Sequence, residues 1–379
     1  MMRFRNSIMG VIVVLGGVLA GCGGEVAQIP ERPEGDAGRP MYIGLSQEMP
    51  DRKSIPQTVA DKAFVIYESG SVAAPGNVGM SSGSRLARYV DGFAVVSKGR
   101  ISITDHSGRL SREFHVQVDA WPVNATWSDG ARTLAAVFDV SKAGEEAFLL
   151  STLFGDDLKT TSVNAIPEGV TACDDGSVFW LENGRKGEAA VAKKLTADGA
   201  AEEVEAHIGA GTVEYATFDC DNGSLTAVVA DDTGSAKRVT VDRMAEVGAK
   251  PVQEEILSLW ISTMPRSHGV AGGAGFSVWR DGTFQRIPLE PDGQVTTGRF
   301  DIGDAGIWSM TFDGESIVVV HRRESEHADL EITTFDAVNP PKVRNRVALS
   351  GAGEGEDSEL GLLVNGSRMV IDPLPISHG

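Results

Sequence analysis

The chain has 379 residues, 41% hydrophobic and 23% charged, with a formal charge of −19 at pH 7. That composition is neither disordered, collagen-like nor that of a polytopic membrane protein. A surface this acidic repels phosphate backbones and excludes nucleic acid as a partner.

The first segment places Arg3 and Arg5 ahead of an uncharged apolar run from Ile8 to Ala20. Its 13 residues span only about 20 Å as a helix, short of the roughly 30 Å hydrocarbon core, so a cleaved signal peptide is expected over 1–21 rather than a spanning anchor. Leu19-Ala20-Gly21-Cys22 resembles the lipobox of bacterial lipoprotein precursors. The resemblance implies that the Cys22 thiol receives a diacylglyceryl group and becomes the new N-terminus. Cleavage removes two cations and no acid, taking the formal charge from −19 to −21. Lipid, at about 0.8 kcal/mol per buried methylene, is then the expected link to the membrane, since an acidic body is pushed away from an anionic leaflet. Gly23 to Pro40 is rich in Gly, Pro and Glu, and residues 22–40 read as a lipidated flexible tether.

From residue 41 onward, short runs rich in Val, Ile, Thr and Phe alternate with Gly, Asp, Asn and Ser clusters, the pattern of many antiparallel strands. One unit recurs: a short strand, a turn with Asp or Asn ending in Gly, then an apolar strand. It appears at Tyr89-Val90-Asp91-Gly92, Trp127-Ser128-Asp129-Gly130, Cys173-Asp174-Asp175-Gly176, Cys220-Asp221-Asn222-Gly223, Phe312-Asp313-Gly314 and Val364-Asn365-Gly366. A poorer copy, Arg266-Ser267-His268-Gly269, fills the gap before the fifth. The glycine spacings of 38, 46, 47, 46, 45 and 52 match the period of four-stranded propeller blades. Gly supplies the positive φ that a tight reversal needs. Strands are left over at both ends, Ala63 to Tyr67 among them, and a blade shared between the termini would leave no unpaired edge. The Trp127-Ser128-Asp129-Gly130 unit is similar to the repeats of TolB/WD40-like propellers. The Pro of that family's Trp-Ser-Pro-Asp-Gly pattern is missing, and the other copies lack the Trp. The expected fold is all-β: a single seven-bladed β-propeller over 41–379, with six or eight blades as the adjacent counts.

Cys173 and Cys220 occupy equivalent positions, three residues before the key glycines of consecutive units. In an exported protein they are expected to form a disulfide, provided these turns lie near the central axis where neighbouring blades converge. The literal G-x-S-x-G at Gly79-Met80-Ser81-Ser82-Gly83 is read as a loop, because no helical pattern follows it. His321 and His327 are read as solvated loop histidines, and Asp219 to Gly223 as a hairpin turn rather than a calcium loop. Gly351 to Glu359 reads as an acidic loop, and Trp180, Trp260 and Trp308 are assigned to blade packing. No motif calls for a catalytic residue, a metal or a cofactor. The expected function is a membrane-anchored extracytoplasmic platform that binds a protein or cell-envelope ligand. The alternative is a hydrolase or lyase acting at the central channel, marked by His, Arg and carboxylates converging at one mouth.

Overall fold

The computed structural model describes residues 38, 40–47, 61–79, 84–90, 92–105, 110–128, 130–142, 146–163, 165–182, 190–204, 208, 211–221, 223–231, 235–241, 251–257, 267–290, 292–303, 306–322, 330–339, 341–349 and 368–373. Within them lie seven four-stranded antiparallel sheets. Six are built from consecutive strands. The first comprises β4 (Arg85–Tyr89), β5 (Gly92–Ser97), β6 (Arg100–Asp105) and β7 (Leu110–His115), and the second β8 (Trp121–Trp127), β9 (Thr133–Asp139), β10 (Phe148–Phe154) and β11 (Asp157–Val163). Then come β12 (Pro167–Ala172), β13 (Val178–Glu182), β14 (Val191–Leu195) and β15 (Ala201–Val204), followed by β16 (Thr212–Asp219), β17 (Ser224–Ala230), β18 (Ala236–Val241) and β19 (Pro251–Leu257). The last two are β20 (Ser267–Ala271), β21 (Ala274–Val278), β22 (Thr283–Pro288) and β23 (Thr296–Arg299), and β24 (Gly306–Asp313), β25 (Ser316–Arg322), β26 (Leu330–Asp336) and β27 (Lys342–Ala348).

The seventh sheet joins the two ends of the chain. Its order is β28 (Arg368–Pro373), β1 (Pro40–Gln47), β2 (Asp61–Tyr67) and β3 (Val72–Gly79), with Gly44 opposite Ile371. The first strand of each sheet packs against its counterparts in the neighbouring sheets, and β28 lies against both β24 and β4, closing the ring. This is a propeller whose seven blades are closed by strands from both termini.

Each blade buries both faces, so its second strand is mostly apolar rather than alternating. In β9, Leu134, Ala136 and Phe138 join Ala87, Tyr89, Ala94 and Ile101 of the preceding blade. The intervening Ala135 and Val137 face Val170, Ala172, Val178 and Trp180 of the next. Seven such clusters fill the seven gaps between blades among the described residues. Stacking of twisted sheets through these apolar layers is what holds the disc together.

The turns follow expectation in part. Gly176 (φ 87), Gly223 (φ 64) and Gly314 (φ 50) supply the left-handed residue between first and second strands. In the other two good copies the positive φ falls elsewhere, on Val90 (52) and Ala131 (53). Gly130 serves close approach instead: a Cβ there would lie 2.6 Å from the Asp174 carboxylate. The expected fifth turn at Gly269 is corrected, since Gly269 lies inside β20 opposite Phe276 and the reversal is made by Gly272 and Gly273. A Gly-Gly pair supplies both left-handed residues without an Asp or Asn, so the composition of the turn changed while its place in the blade did not. The expected last unit is also out of phase. The strand after Gly366 is β28, the innermost of its blade, because its partner β1 comes from the other end of the chain. Residues 350–367, with the acidic segment 351–359 and Gly366, lie outside the described residues, as do Cys22, the tether up to Ala37, Met80 to Gly83, Trp260 and His327.

Candidate functional site

All inner strands run in the same direction, so the channel has two chemically different mouths. At one, the turns joining first to second strands are tied to each other across four of the seven gaps between blades. Val90 N donates to Ala131 O at 2.6 Å, linking the β4 and β8 blades. The Ser128 hydroxyl and, at 3.1 Å, the Gly130 amide both donate to the Asp174 carboxylate, linking the β8 and β12 blades. Thr133 adds a hydroxyl bond to Cys173 O across the same gap. Cys173 and Cys220 then form the expected disulfide, Cα atoms 5.7 Å apart, between the β12 and β16 turns. Gly272 N donates to Gly314 O at 2.8 Å further round. These turns do lie beside the axis, the condition on which the bridge depended. Asp221 N bonds the Asp219 carboxylate at 2.9 Å, the local turn expected for that segment.

The opposite mouth, where the inner strands begin, carries a different set of groups. Four inner strands have a register shift within their first few residues: Pro122/Asn124 in β8, Glu168/Thr171 in β12, Val213/Tyr215 in β16 and Ile307/Ser309 in β24. A bulge leaves a residue unpaired and turns its side chain away from the regular alternation, which is why bulges gather at barrel rims and binding sites. In β8 the extra residue is Val123, 39% exposed, and in β16 it is Glu214.

Glu168 and Glu214 stand on adjacent inner strands, and His268 on the next. Burial pushes the Glu168 carboxyl above its usual range; the His268 charge opposes this and Glu214 adds to it. Glu214 is raised by the same desolvation, again opposed by His268. Among the described residues neither carboxylate has a hydrogen-bond or ion-pair partner. Beside them, burial pushes Tyr215 up to about 12; its hydroxyl bonds Ser277 in the next blade, and its ring meets His268 edge-on at 6.5 Å. Gly275 permits that packing, because a Cβ there would sit 2.7 Å from the Tyr215 ring. On the other side, the Arg85 guanidinium at the start of β4 donates to Val123 O at 3.4 Å and Ser84 O at 3.2 Å. Trp121 and Ile166, 40% and 48% exposed, complete the rim.

Sequence reasoning missed this constellation. Counted back from their turn residues, Glu168, Glu214 and His268 sit at unequal offsets, so no repeat in the chain points to them; their electrostatic interaction shows that the fold brings them near one another. The expectation for His321 is corrected as well. It is buried within β25, its Nε2 2.8 Å from the Thr333 hydroxyl and 3.5 Å from Glu331, because the apolar strand runs on through it. Trp180 is buried between blades as expected, its indole N–H on Glu182 at 3.1 Å. No group of three or more His, Cys, Asp or Glu side chains is arranged to hold a metal ion among the described residues.

No protein-family model and no curated protein sequence matches the chain. It is similar in structure to a functionally unknown protein from Desulfotomaculum acetoxidans, at 11% identity and a TM-score of 0.51, over 82% of this chain and 95% of that one. Weaker likenesses are to virginiamycin B lyase from Staphylococcus aureus with quinupristin (14% identity, TM-score 0.45, 74% and 92% covered) and to the β-propeller domain of Cps50 (Swd1) from Myceliophteria thermophila (11%, 0.45, 72% and 88%). The propeller rests on the sheet topology. The class of protein is therefore a β-propeller closed by both termini.

Proposed function

We propose that this chain is a lipid-tethered, extracytoplasmic binding platform, held to the membrane through Cys22 and presenting one mouth of its propeller to a protein or envelope ligand. The observation that supports it most is the asymmetry of the two mouths. At one, turns of neighbouring blades are joined across four of the seven gaps by hydrogen bonds or a disulfide. At the other, five consecutive blades contribute Arg85, Trp121, Val123, Glu168, Glu214 and His268 to a bulged rim. A rigid disc offering many side chains from separate strands is suited to recognition, and a face of this kind can supply the roughly 800 Å² per partner of an ordinary interface. The anchor is supported by the lipobox-like Leu19-Ala20-Gly21-Cys22 at the end of the apolar run.

Acid–base chemistry at the same mouth is the second reading, favoured by two carboxyls with raised pKa beside a histidine. One experiment separates the readings. Wild type and Cys22→Ser are fractionated, the detergent-solubilised protein is used in an envelope pull-down, and the same preparation is screened for hydrolase and lyase turnover. The platform reading expects Cys22→Ser to leave the membrane fraction or to accumulate as precursor, and a captured partner without turnover. Firm, processed membrane attachment of the variant refutes the anchor. Turnover abolished by Glu168→Gln or Glu214→Gln refutes the binding role in favour of the enzyme.

A further inference from the structure

We propose that the bulged mouth docks a basic, extended segment of a protein partner, with a Lys or Arg side chain seated between Glu168 and Glu214 and apolar neighbours resting on Trp121, Val123 and Ile166. The inference builds on the platform reading and adds to it the face and the chemistry of the ligand.

Three of the seven large hydrophobic residues that are exposed among the described residues lie here: Trp121, Val123 and Ile166. The first two begin β8, and Ile166 immediately precedes β12, the neighbouring inner strand running the same way. Glu168 follows two residues later, and Glu214 stands on the strand beyond. Apolar surface thus gives way to acid across three adjacent blades. A partner crossing them needs apolar side chains at one end and a cation at the other.

The carboxylates set the sign of that charge. Both are half buried, and among the described residues neither has a hydrogen bond or a close ion pair; the charge of His268 offsets only part of the burial, since both carboxyls stay raised. An incoming ammonium or guanidinium supplies the missing bond, and a guanidinium can bridge two carboxylates through its planar fork of donors. Of the rim's other cations, Arg85 is engaged with Val123 O and Ser84 O, and Lys98, 5.4 Å over the Trp121 ring, is paired with Asp119 at 2.7 Å; His268 acts on both carboxylates through its charge, without a close ion pair to either. A formal charge of −19 steers basic partners toward the disc from a distance. An anionic lipid headgroup is repelled by the same two carboxylates, and a protein segment is the ligand that carries a cation and apolar side chains at the spacing of neighbouring residues.

The test uses the full chain in detergent and fluorescence anisotropy of short labelled peptides: one alternating Arg and Leu, one alternating Glu and Leu, one alternating Arg and Ser. The Arg–Leu peptide is expected to bind, the Arg–Ser peptide more weakly, and the Glu–Leu peptide not at all. Glu168→Gln with Glu214→Gln should lose about tenfold or more in affinity. Val123→Ser with Ile166→Ser should lose about fivefold. Asp156→Asn with Asp157→Asn, which removes the same charge at the far end of the molecule, should bind as wild type does. Circular dichroism confirms the fold of each variant. The inference is overturned by equal binding of the Arg–Leu and Glu–Leu peptides, by no binding of either, by full affinity in the Glu168/Glu214 variant, or by equal loss in the Asp156/Asp157 variant. If an envelope protein is captured equally well by the Glu168/Glu214 variant, this inference fails while the platform reading stands.

Discussion

Replacing Cys173 and Cys220 together with Ala removes the one covalent link between blades among the described residues. The bridge spans a sequence separation of 47 and ties the β12 blade to the β16 blade. Loop-closure entropy for a ring of that length comes to about 4 kcal/mol at 25 °C, lost almost wholly through the unfolded state. The native turns are not expected to part, because Ser128, Gly130 and Thr133 still hold the Cys173 turn from the other side. Unfolding entropy of about 2.1 cal/mol/K per residue, taken over the folded body, amounts to about 0.7 kcal/mol/K, so Tm should fall by about 6 °C. Calorimetry of the oxidised wild type against the double variant reads this directly, and non-reducing peptide mapping should find the two cysteine peptides linked. A fall of less than about 1 °C would refute the entropic argument. Free alkylation of both thiols in the oxidised native protein would refute the bridge itself.

Two further predictions concern the opposite ends of the channel. Asp174→Ala removes the acceptor shared by Ser128 and Gly130 and should lower stability by about 1–3 kcal/mol. Denaturant titration should show a lower midpoint with unchanged slope, and Asp174→Asn, which keeps an acceptor oxygen, should lose less. Glu168→Gln should do the reverse. A carboxyl raised on folding binds its proton more tightly in the native state, so its ionisation lowers stability as pH rises from the ordinary glutamate value through the raised one. The variant escapes that loss. Discounted for a partly solvated group it amounts to less than about 1 kcal/mol, so Tm should rise by about 1 °C at pH 7 and the gain should vanish below about pH 4. A gain that persists in acid would show that desolvation of the carboxylate is not its cause.

A gain in stability on removing Glu168 would also bear on function. Groups that are costly to the folded chain and unpaired within it are the ones a ligand is positioned to satisfy. His321 makes the contrast. It is buried in β25 with Thr333 and Glu331 around it, and it belongs to the packing of its blade.

The blade repeat was legible in the linear chain because each turn must reverse two strands in a few residues, and few residue types tolerate the backbone this requires. Cys173 and Cys220 could be paired for the same reason: equal distance from equivalent glycines means equal height on neighbouring inner strands. The apolar second strands, Leu134 to Phe138 and Ile317 to Val320, were legible as strands, while the burial of both their faces between neighbouring blades is a fact of the packing. Gly269 and Gly366 misled because a glycine before an apolar run looks the same whether it turns the chain, admits a neighbouring ring or precedes the strand that closes the disc. Only the tertiary structure decided which mouth presents chemistry. Glu168 and Glu214 stand at register shifts in β12 and β16, and a bulge is set by how one strand sits against its partner rather than by any local preference of the residues it displaces. Repetition along the chain determined the disc; the slippage of single residues between paired strands decided what its channel offers to a ligand.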